Sequence, residues 1–485
     1  MVKILLSIPP GQGSNKYKYS SFLNFSSPPL GLAYMASVLE EEGFEGKVKI
    51  LDSRAIGATF DTLRDVVRRW RPEIVGFQVK TPNYQDSVLA SRICKEEGVP
   101  YVVWGGHHAS PLAKETARLP DVDVVFRGEA EYTFRDFVVA VEEGKDWRKT
   151  QGITYQDKSG KVQSNPDAPL IKDLDAIPFP ARHLLPLDKY KIFGSSFPAT
   201  TMITSRGCPY ACEFCSVTSF YGHRWRTRSA ENIAAEMQSL VEDHDLLAVA
   251  FVDDLFFVNK KRVFKIAREI QRMEANLSRE IYWGATVRAD RTDIEMLKAM
   301  RNANCRLVFA GVESYDQAIL DSVKKRTQVS EIEDFHQACK KARLDTLSSF
   351  SFGFPGETIQ TVRRTIRWAI DVLDPSLAIF TISTPYPGTP FFDQMEQEGR
   401  IFEKDYSKYT LFNPILELTG ISREELKKEV VKAYKEFYVR PRKMYQNVKR
   451  EMSYAVESYG LRMFLDNLRV AIRGAVHFAG VERNV

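Results

Sequence analysis

Short β-branched runs alternating with segments of helical spacing constrain this chain more than any other feature of its sequence. Lys3 to Ile8, Val48 to Leu51, Ile74 to Val79, Tyr101 to Trp104 and Val122 to Phe126 read as strands. Leu30 to Glu42, Phe60 to Trp70, Ser87 to Glu96 and Leu112 to Arg118 read as the helices between them. Strands joined through helices run parallel, so the pattern predicts an open, doubly wound parallel sheet covered on both faces. Ligands of such sheets bind beyond the carboxyl ends of the strands. The sequence places Pro9 to Gln12, Lys80 to Asn83, Gly105 to His108, and Gly128 with Glu129 at those ends.

From Gln151 to Pro198 the alternation gives way to Gly, Asp and Pro punctuation, with Pro166, Pro169, Pro178, Pro180, Pro186 and Pro198, which reads as a wrapping linker. It resumes with strands at Ala199 to Thr204, Leu247 to Val252, Ile281 to Thr286, Arg306 to Ala310, Thr346 to Phe352 and Ser376 to Ser383. Helical segments separate them, near Ala230 to Glu242, Lys260 to Met273, Thr292 to Ala303, Ser330 to Ala342 and Glu357 to Asp371. Six such units predict a partial (β/α)6 barrel, with its chemistry in the loops after the strands. Beyond Tyr406 the β signal fades, and Ser422 with Glu425 forms a capping box that opens a helix. The expected order is a first domain over 1–150, a linker over 151–198, a barrel over 199–405 and a helical region over 406–485. In the last region Leu461, Phe464, Leu465, Leu468, Ile472 and Val476 share a helix face edged by Arg462, Arg469 and Arg473. Such a face packs on the barrel or lies on a membrane surface.

Composition excludes several classes. The 485 residues are 44% hydrophobic and 27% charged, which suits a folded protein and not a disordered one. The net charge of +5 comes from 68 basic and 63 acidic residues with interspersed signs, too mild a balance for a nucleic-acid partner. No apolar run reaches the roughly 18 residues of a membrane span. The strongest candidate, Leu246 to Val258, is broken by Asp253 and Asp254. Met1 to Ile8 carries no leader pattern, so the expected location is cytoplasmic, with peripheral membrane contact left open through the tail. Six cysteines are too sparse for a disulfide framework, and the expected compartment is reducing.

Three of those cysteines crowd into Arg206-Gly207-Cys208-Pro209-Tyr210-Ala211-Cys212-Glu213-Phe214-Cys215, a CxxxCxxC run just after the first barrel strand. Soft thiolates select zinc or iron-sulfur clusters, and three ligands from one loop leave a coordination position unfilled. Structural zinc recruits a fourth ligand from a second pair, and none follows. Redox thiols need only CxxC. Chance clustering sits poorly beside Gly207 and Pro209, which force a tight loop. The remaining reading is a 4Fe-4S cluster with one iron free.

This run resembles the radical S-adenosylmethionine superfamily, whose motif is CxxxCx(aromatic)C, with Phe214 in the aromatic place. The resemblance implies that Cys208, Cys212 and Cys215 ligate a 4Fe-4S cluster whose open iron chelates S-adenosylmethionine, and that an electron from the cluster yields a 5′-deoxyadenosyl radical. It implies further cofactor contacts at the other strand ends: Asp253 and Asp254 after the second, Arg288 after the third, Glu313 and Ser314 after the fourth, Gly353 and Gly356 after the fifth. Tyr386 to Pro390 forms a turn after the sixth.

A flavodoxin-like sheet preceding such a barrel resembles the cobalamin-binding branch of that superfamily. The residues that carry this are Pro28 to Leu32, Gly105 and Gly106 with His107 and His108, and Arg127 to Glu131 around Gly128. The DxHxxG motif of a lower axial histidine is absent, as is common in this branch. The resemblance implies cobalamin-dependent C-methylation of a biosynthetic intermediate, with the amphipathic tail favouring a lipid or isoprenoid. It implies, as the other enzyme outcome, C–C bond formation, cyclisation or skeletal rearrangement without methyl transfer. Partners would be a small-molecule or lipid substrate and an electron donor such as flavodoxin or ferredoxin. A tRNA methylthiotransferase would need a second cluster and a β-barrel tail, yet the first 200 residues hold only Cys94. A non-enzymatic corrinoid or iron-sulfur sensor or carrier would not need the motifs after the second, fourth and fifth barrel strands.

Overall fold

The computed structural model describes residues 1–11, 26–190 and 199–458. The N-terminal sheet contains β1 (Ile4–Ile8), β2 (Val48–Asp52), β3 (Ile74–Gln78), β4 (Tyr101–Gly105), β5 (Val124–Phe126), β6 (Ile153–Gln156) and β7 (Val162–Ser164). Its order is β2-β1-β3-β4-β5-β6-β7. The first five strands are parallel and the last two antiparallel. All five residues of β1 are buried, as expected of a central strand with helices on both faces. The chain reverses direction across the sheet at β1, whose neighbours are β2 and β3, so the ligand crevice falls at the carboxyl ends of β1 and β3.

The hairpin of β6 and β7 lies within the stretch read as linker. Its seven residues hold one charge-free β-rich run, but the Gly and Pro around it hid the period-2 signal. Residues 165–190 then run back along the first domain. Arg182 leaves that strap to bond Thr200 and Glu236 of the barrel, at 3.0 and 2.8 Å.

The second sheet has six parallel strands in chain order: Ala199–Met202, Ala248–Phe251, Tyr282–Val287, Cys305–Glu313, Asp345–Phe352 and Leu377–Ile382. Its first and last strands do not pair, so the barrel is open. Along Tyr282–Val287 burial alternates strictly, with Trp283, Ala285 and Val287 packed under the helices. The alternate residues face an inner side that side chains do not fill. Small residues recur there, including Ala250, Gly284, Gly311, Ser349 and Ser351, each only half-buried. A closed barrel would pack that interior; here it is left as a cleft.

The capping box of Ser422 and Glu425 opens the helix Arg423–Tyr438. That helix shields the open edge of the sixth strand: the Tyr438 hydroxyl accepts from Ala378 N–H at 3.0 Å and the Tyr434 hydroxyl from Phe380 N–H at 3.1 Å. Edge amides that would otherwise be orphaned are satisfied by phenols. Among the described residues no helix is long and apolar enough to cross a membrane. The amphipathic face from Leu461 to Val476 lies outside the described residues.

Candidate cluster and cofactor site

Cys208, Cys212 and Cys215 stand on one loop between the first barrel strand and the short helix Ser216–Tyr221. Gly207 has φ +84°, and a β-carbon there would land on the Arg224 carbonyl oxygen, so only glycine fits. The Cys215 N–H donates to the Cys212 carbonyl at 3.1 Å, closing a tight turn. Glu213 N–H donates to Val323 O, and Phe391 N–H to Glu213 O, both at 3.1 Å. These bonds sew the loop to the helices Gln317–Ser322 and Pro390–Gln397, which follow the fourth and sixth strands. The ring of Phe214 packs 5.3 Å from that of Phe354, in the loop carrying Gly353 and Gly356.

Burial pushes the thiols of Cys208 and Cys215 up, Cys215 to about 12. Without metal these sulfurs are protonated, and a cation must displace the protons to make ligands of them. Among the described residues no three His, Cys, Asp or Glu side chains converge as they would on a single ion. Structural zinc takes four protein ligands, and this loop offers three thiols, a set that suits a cluster with one open iron. The other cysteines cannot complete it: Cys94, Cys305 and Cys339 are fully buried in the helix–sheet cores. The donor set therefore fits a 4Fe-4S cluster with one iron not held by cysteine.

The neighbouring polar residues all have partners within the protein. Asp253 is buried and accepts from Thr204 N–H at 2.6 Å, Ser205 N–H at 2.9 Å and the Thr204 hydroxyl. Asp254 accepts from Gly207 N–H at 2.9 Å. Both carboxylates thus hold the backbone that leads into the cysteine loop. Arg288 bonds Asp290 at 3.0 Å and both Lys325 O and Thr327 at 2.8 Å. Its remaining nitrogen, Nη1, points at Cys212 Sγ from 4.0 Å. The guanidinium thus ties the third strand's end to the turn at Lys325 and Thr327 and to the cysteine loop.

Glu313, at φ +67°, pairs with buried Lys325 at 2.7 Å, and Gly311 leaves room for that pair. Ser314 is fully buried and accepts from Asp316 N–H at 3.1 Å, which fixes the turn after the fourth strand. Lys325 and Thr327 escaped the sequence reading because Lys324-Lys325-Arg326 looks like an exposed basic run.

Gly353 and Gly356 both have positive φ, +92° and +88°. Their loop is closed by Glu357, whose Oε2 accepts from the N–H groups of Gly353 and Phe354. Its Oε1 is buried without a partner among the described residues, and burial raises the carboxyl to about 7. A folded-state value above the unfolded one makes the protonated form the better fit. Stability is then full below the unfolded carboxylate range and falls as pH rises from about 4.5 towards 7. Glu357→Gln should flatten that decline, removing a few kcal/mol of pH dependence. Urea melts at pH 5 and pH 7.5 check this; equal pH dependence in both proteins would contradict it.

At the carboxyl edge of the first sheet, Gly106 has φ +106° and lies against the Val79 backbone, where a β-carbon would stand 2.8 Å from Val79 O. Gly105 makes only ordinary contacts, and Gly128, φ +70°, faces open space. His108 is buried, bonded to Thr81 at 3.2 Å and packed between Tyr84 and Tyr406. His107 stands exposed at this edge, and partial desolvation together with the Lys80 cation lowers its imidazole pKa. Its ring lies 4.6 Å from Phe220, on the helix directly after Cys215. Gly128, open at this edge, lets a flat ligand approach the backbone closely.

The largest feature that the sequence reading missed joins the two domains. Arg206, which precedes Gly207, bonds Glu129 at 2.8 Å and Glu131 at 2.7 Å, all three buried. Arg226 bonds Glu129 at 2.7 Å. The run Arg127 to Glu131 thus clamps the base of the cysteine loop to the first sheet.

Family models agree with this division. Residues 23–138 match the B12 binding domain and residues 202–369 the radical SAM superfamily. Methyltransferase PH0819 of Pyrococcus horikoshii, an uncharacterized protein, is 36% identical over 451 residues, covering 92% of this chain and 95% of that one. The chain belongs to the radical S-adenosylmethionine superfamily, in the branch with an N-terminal B12-binding domain. It is therefore a radical S-adenosylmethionine enzyme, and the cofactors of its two domains are a 4Fe-4S cluster with S-adenosylmethionine and cobalamin. An anaerobic magnesium-protoporphyrin IX monomethyl ester cyclase of Rubrivivax gelatinosus is 28% identical over 421 residues, 85% of this chain and 74% of that one. The fold is shared with the methyltransferase TsrM from Kitasatospora setae, solved with cobalamin and a [4Fe-4S] cluster bound. The TM-score is 0.72 at 16% identity, over 98% of this chain and 99% of that one.

Proposed function

We propose that this enzyme methylates a carbon of a small-molecule biosynthetic intermediate, using cobalamin held at the edge of the first sheet. The reading is carried by the docking of the cysteine loop onto that edge, through Arg206 with Glu129 and Glu131 and through His107 against Phe220. When bound, the cluster and S-adenosylmethionine supply a carbon radical by one-electron cleavage, and cobalamin supplies the methyl group. Cys208, Cys212 and Cys215 would hold the cluster. Arg288 would steady the Cys212 thiolate, and the loops of Gly106, His107 and Gly128 would receive the corrin. Asp253 and Asp254 keep the loop's backbone in place, so the cluster's position does not depend on substrate. The half-empty inner face of the barrel, with Ala250, Gly284, Gly311, Ser349 and Ser351, leaves room for S-adenosylmethionine and the substrate. The methyltransferase name of the relative PH0819 supports methyl transfer.

A second reading, ring closure without methyl transfer, is favoured by the cyclase relative. Anaerobic incubation with hydroxocobalamin, dithionite and S-adenosylmethionine separates them. Methyl transfer through cobalamin should give both S-adenosylhomocysteine and 5′-deoxyadenosine. Formation of 5′-deoxyadenosine alone, with cobalamin bound, would favour the second reading, and neither product would overturn both.

A further inference from the structure

We propose that Gly388 is a positioning residue that sets the gap between the cluster and cobalamin, by letting the turn after the sixth barrel strand close directly onto the first domain. This rests on the reading that the cysteine loop holds the cluster and that the loops of Gly106, His107 and Gly128 receive the corrin. The turn from Tyr386 to Pro390 is tight. Thr389 N–H donates to Tyr386 O at 3.2 Å, and the Thr389 hydroxyl donates to the same oxygen at 2.7 Å. Thr389 is fully buried, and its hydroxyl accepts from Phe392 N–H at 3.1 Å, so the turn is continuous with the helix Pro390–Gln397. Gly388 has φ +84°, and a β-carbon on it would stand 2.5 Å from Cβ of Pro111 and 3.7 Å from Cβ of Ser219. Pro111 belongs to the loop after the fourth strand of the first sheet, and Ser219 to the helix Ser216–Tyr221 directly after Cys215. Segments of both domains therefore meet at a point where only a hydrogen atom fits.

Each segment is tied to a cofactor edge. Ser110, beside Pro111, donates its N–H to Gly106 O at 3.0 Å, and its hydroxyl accepts from Gly128 N–H at 3.1 Å. Pro111 is thus anchored to both glycine loops of the corrin edge. On the cluster side, Phe391 N–H donates to the carbonyl of Glu213, between Cys212 and Cys215, at 3.1 Å. Ser219 neighbours Phe220, whose ring lies 4.6 Å from that of His107. The contacts close a circuit that runs from the cysteine loop through the short helix, the loop from His107 to Pro111 and the Gly388 turn, then back to Glu213. Packed backbone of this kind does not widen by rotating one side chain, and a proline ring cannot swing aside as a flexible side chain does. A methyl group at position 388 would part the domains here. Reacting groups misplaced by about 1 Å can lose about a hundredfold in rate, so chemistry shared between two cofactors calls for a gap held this stiffly.

The test uses the holoenzyme loaded anoxically with cluster and cobalamin and reduced until cob(II)alamin and the reduced cluster coexist. Electron paramagnetic resonance of the wild type should show the two signals split or broadened by each other. Gly388→Ala should lose that interaction, with cluster iron, bound cobalamin and 5′-deoxyadenosine formation retained. Gly399→Ala puts the same methyl on a glycine of similar backbone, φ +66°, with nothing within 4 Å, and should keep the interaction. Gly388→Ala combined with Pro111→Gly, which removes the ring that the methyl strikes, should restore it. Should Gly388→Ala fail to fold, Pro111→Gly alone decides, since it takes the stop away and should weaken the interaction. An interaction unchanged in Gly388→Ala or in Pro111→Gly, lost equally in Gly399→Ala, or not restored in the double variant would overturn the proposal. A wild type whose two signals are independent would instead overturn the reading that brings the two cofactor sites together.

Discussion

Replacing any one of Cys208, Cys212 or Cys215 by alanine is expected to drop cluster iron and 5′-deoxyadenosine formation to background, with the fold intact. On the proposed reading each cysteine would ligate a different iron, so losing one would expose an iron that no neighbour can cover: the other cysteines are locked in cores. The loop's own structure does not depend on the thiols, because Asp253, Asp254 and the bonds of Glu213 hold its backbone. Circular dichroism should therefore be unchanged. Cys305→Ala and Cys339→Ala should show the reverse pattern, with roughly 1 kcal/mol of stability lost from a small buried cavity and iron content retained. Iron analysis and product assays on the five variants check the contrast. Full iron in Cys212→Ala would count against it.

Glu129→Ala is expected to be the most destabilising single change outside the hydrophobic cores. Glu129 accepts from Arg206, Arg226 and the Ile171 N–H, and is 3% exposed. Burial opposes its ionisation, but the bonds from Arg226 and Arg206 prevail and hold its carboxyl below the usual range. Two arginines face two carboxylates, so the buried cluster is neutral, and removing Glu129 leaves an uncompensated guanidinium. Breaking such a cluster from one side costs about 3–5 kcal/mol. The loss should appear where the domains meet, as earlier proteolytic separation of the first domain from the barrel and as lower cluster retention. Glu131→Gln should cost less, because Arg206 keeps Glu129. If the Glu129 variant melted and resisted protease like the wild type, the clamp would carry no weight.

The sequence disclosed elements set by local pattern. Phe60–Trp70 was read to the residue because Thr59 caps it, Arg71 ends it in left-handed backbone, and Leu63 and Val67 fall on its buried face. The six barrel strands were legible because their outer residues, such as Val249, Phe251, Val308 and Phe380, are apolar in alternation. The cysteine loop was legible because its spacing is local. Roles decided by distant partners were not. Asp253, Asp254 and Arg288 were located correctly at strand ends, but apart from Asp290 beside Arg288 what they bond lies 37 or more residues away along the chain. Glu129 and Arg206, 77 positions apart, stand in two motifs read separately, and nothing local marks them as partners. No period or spacing encodes such a pair; only the fold brings it together.

The most direct measurement is electron paramagnetic resonance on anoxically reconstituted, reduced protein before and after S-adenosylmethionine is added. A reduced 4Fe-4S signal that shifts on addition is the expected result, since one iron is left open to the cosubstrate. Zinc in the loop, or an iron-sulfur signal indifferent to S-adenosylmethionine, would contradict it.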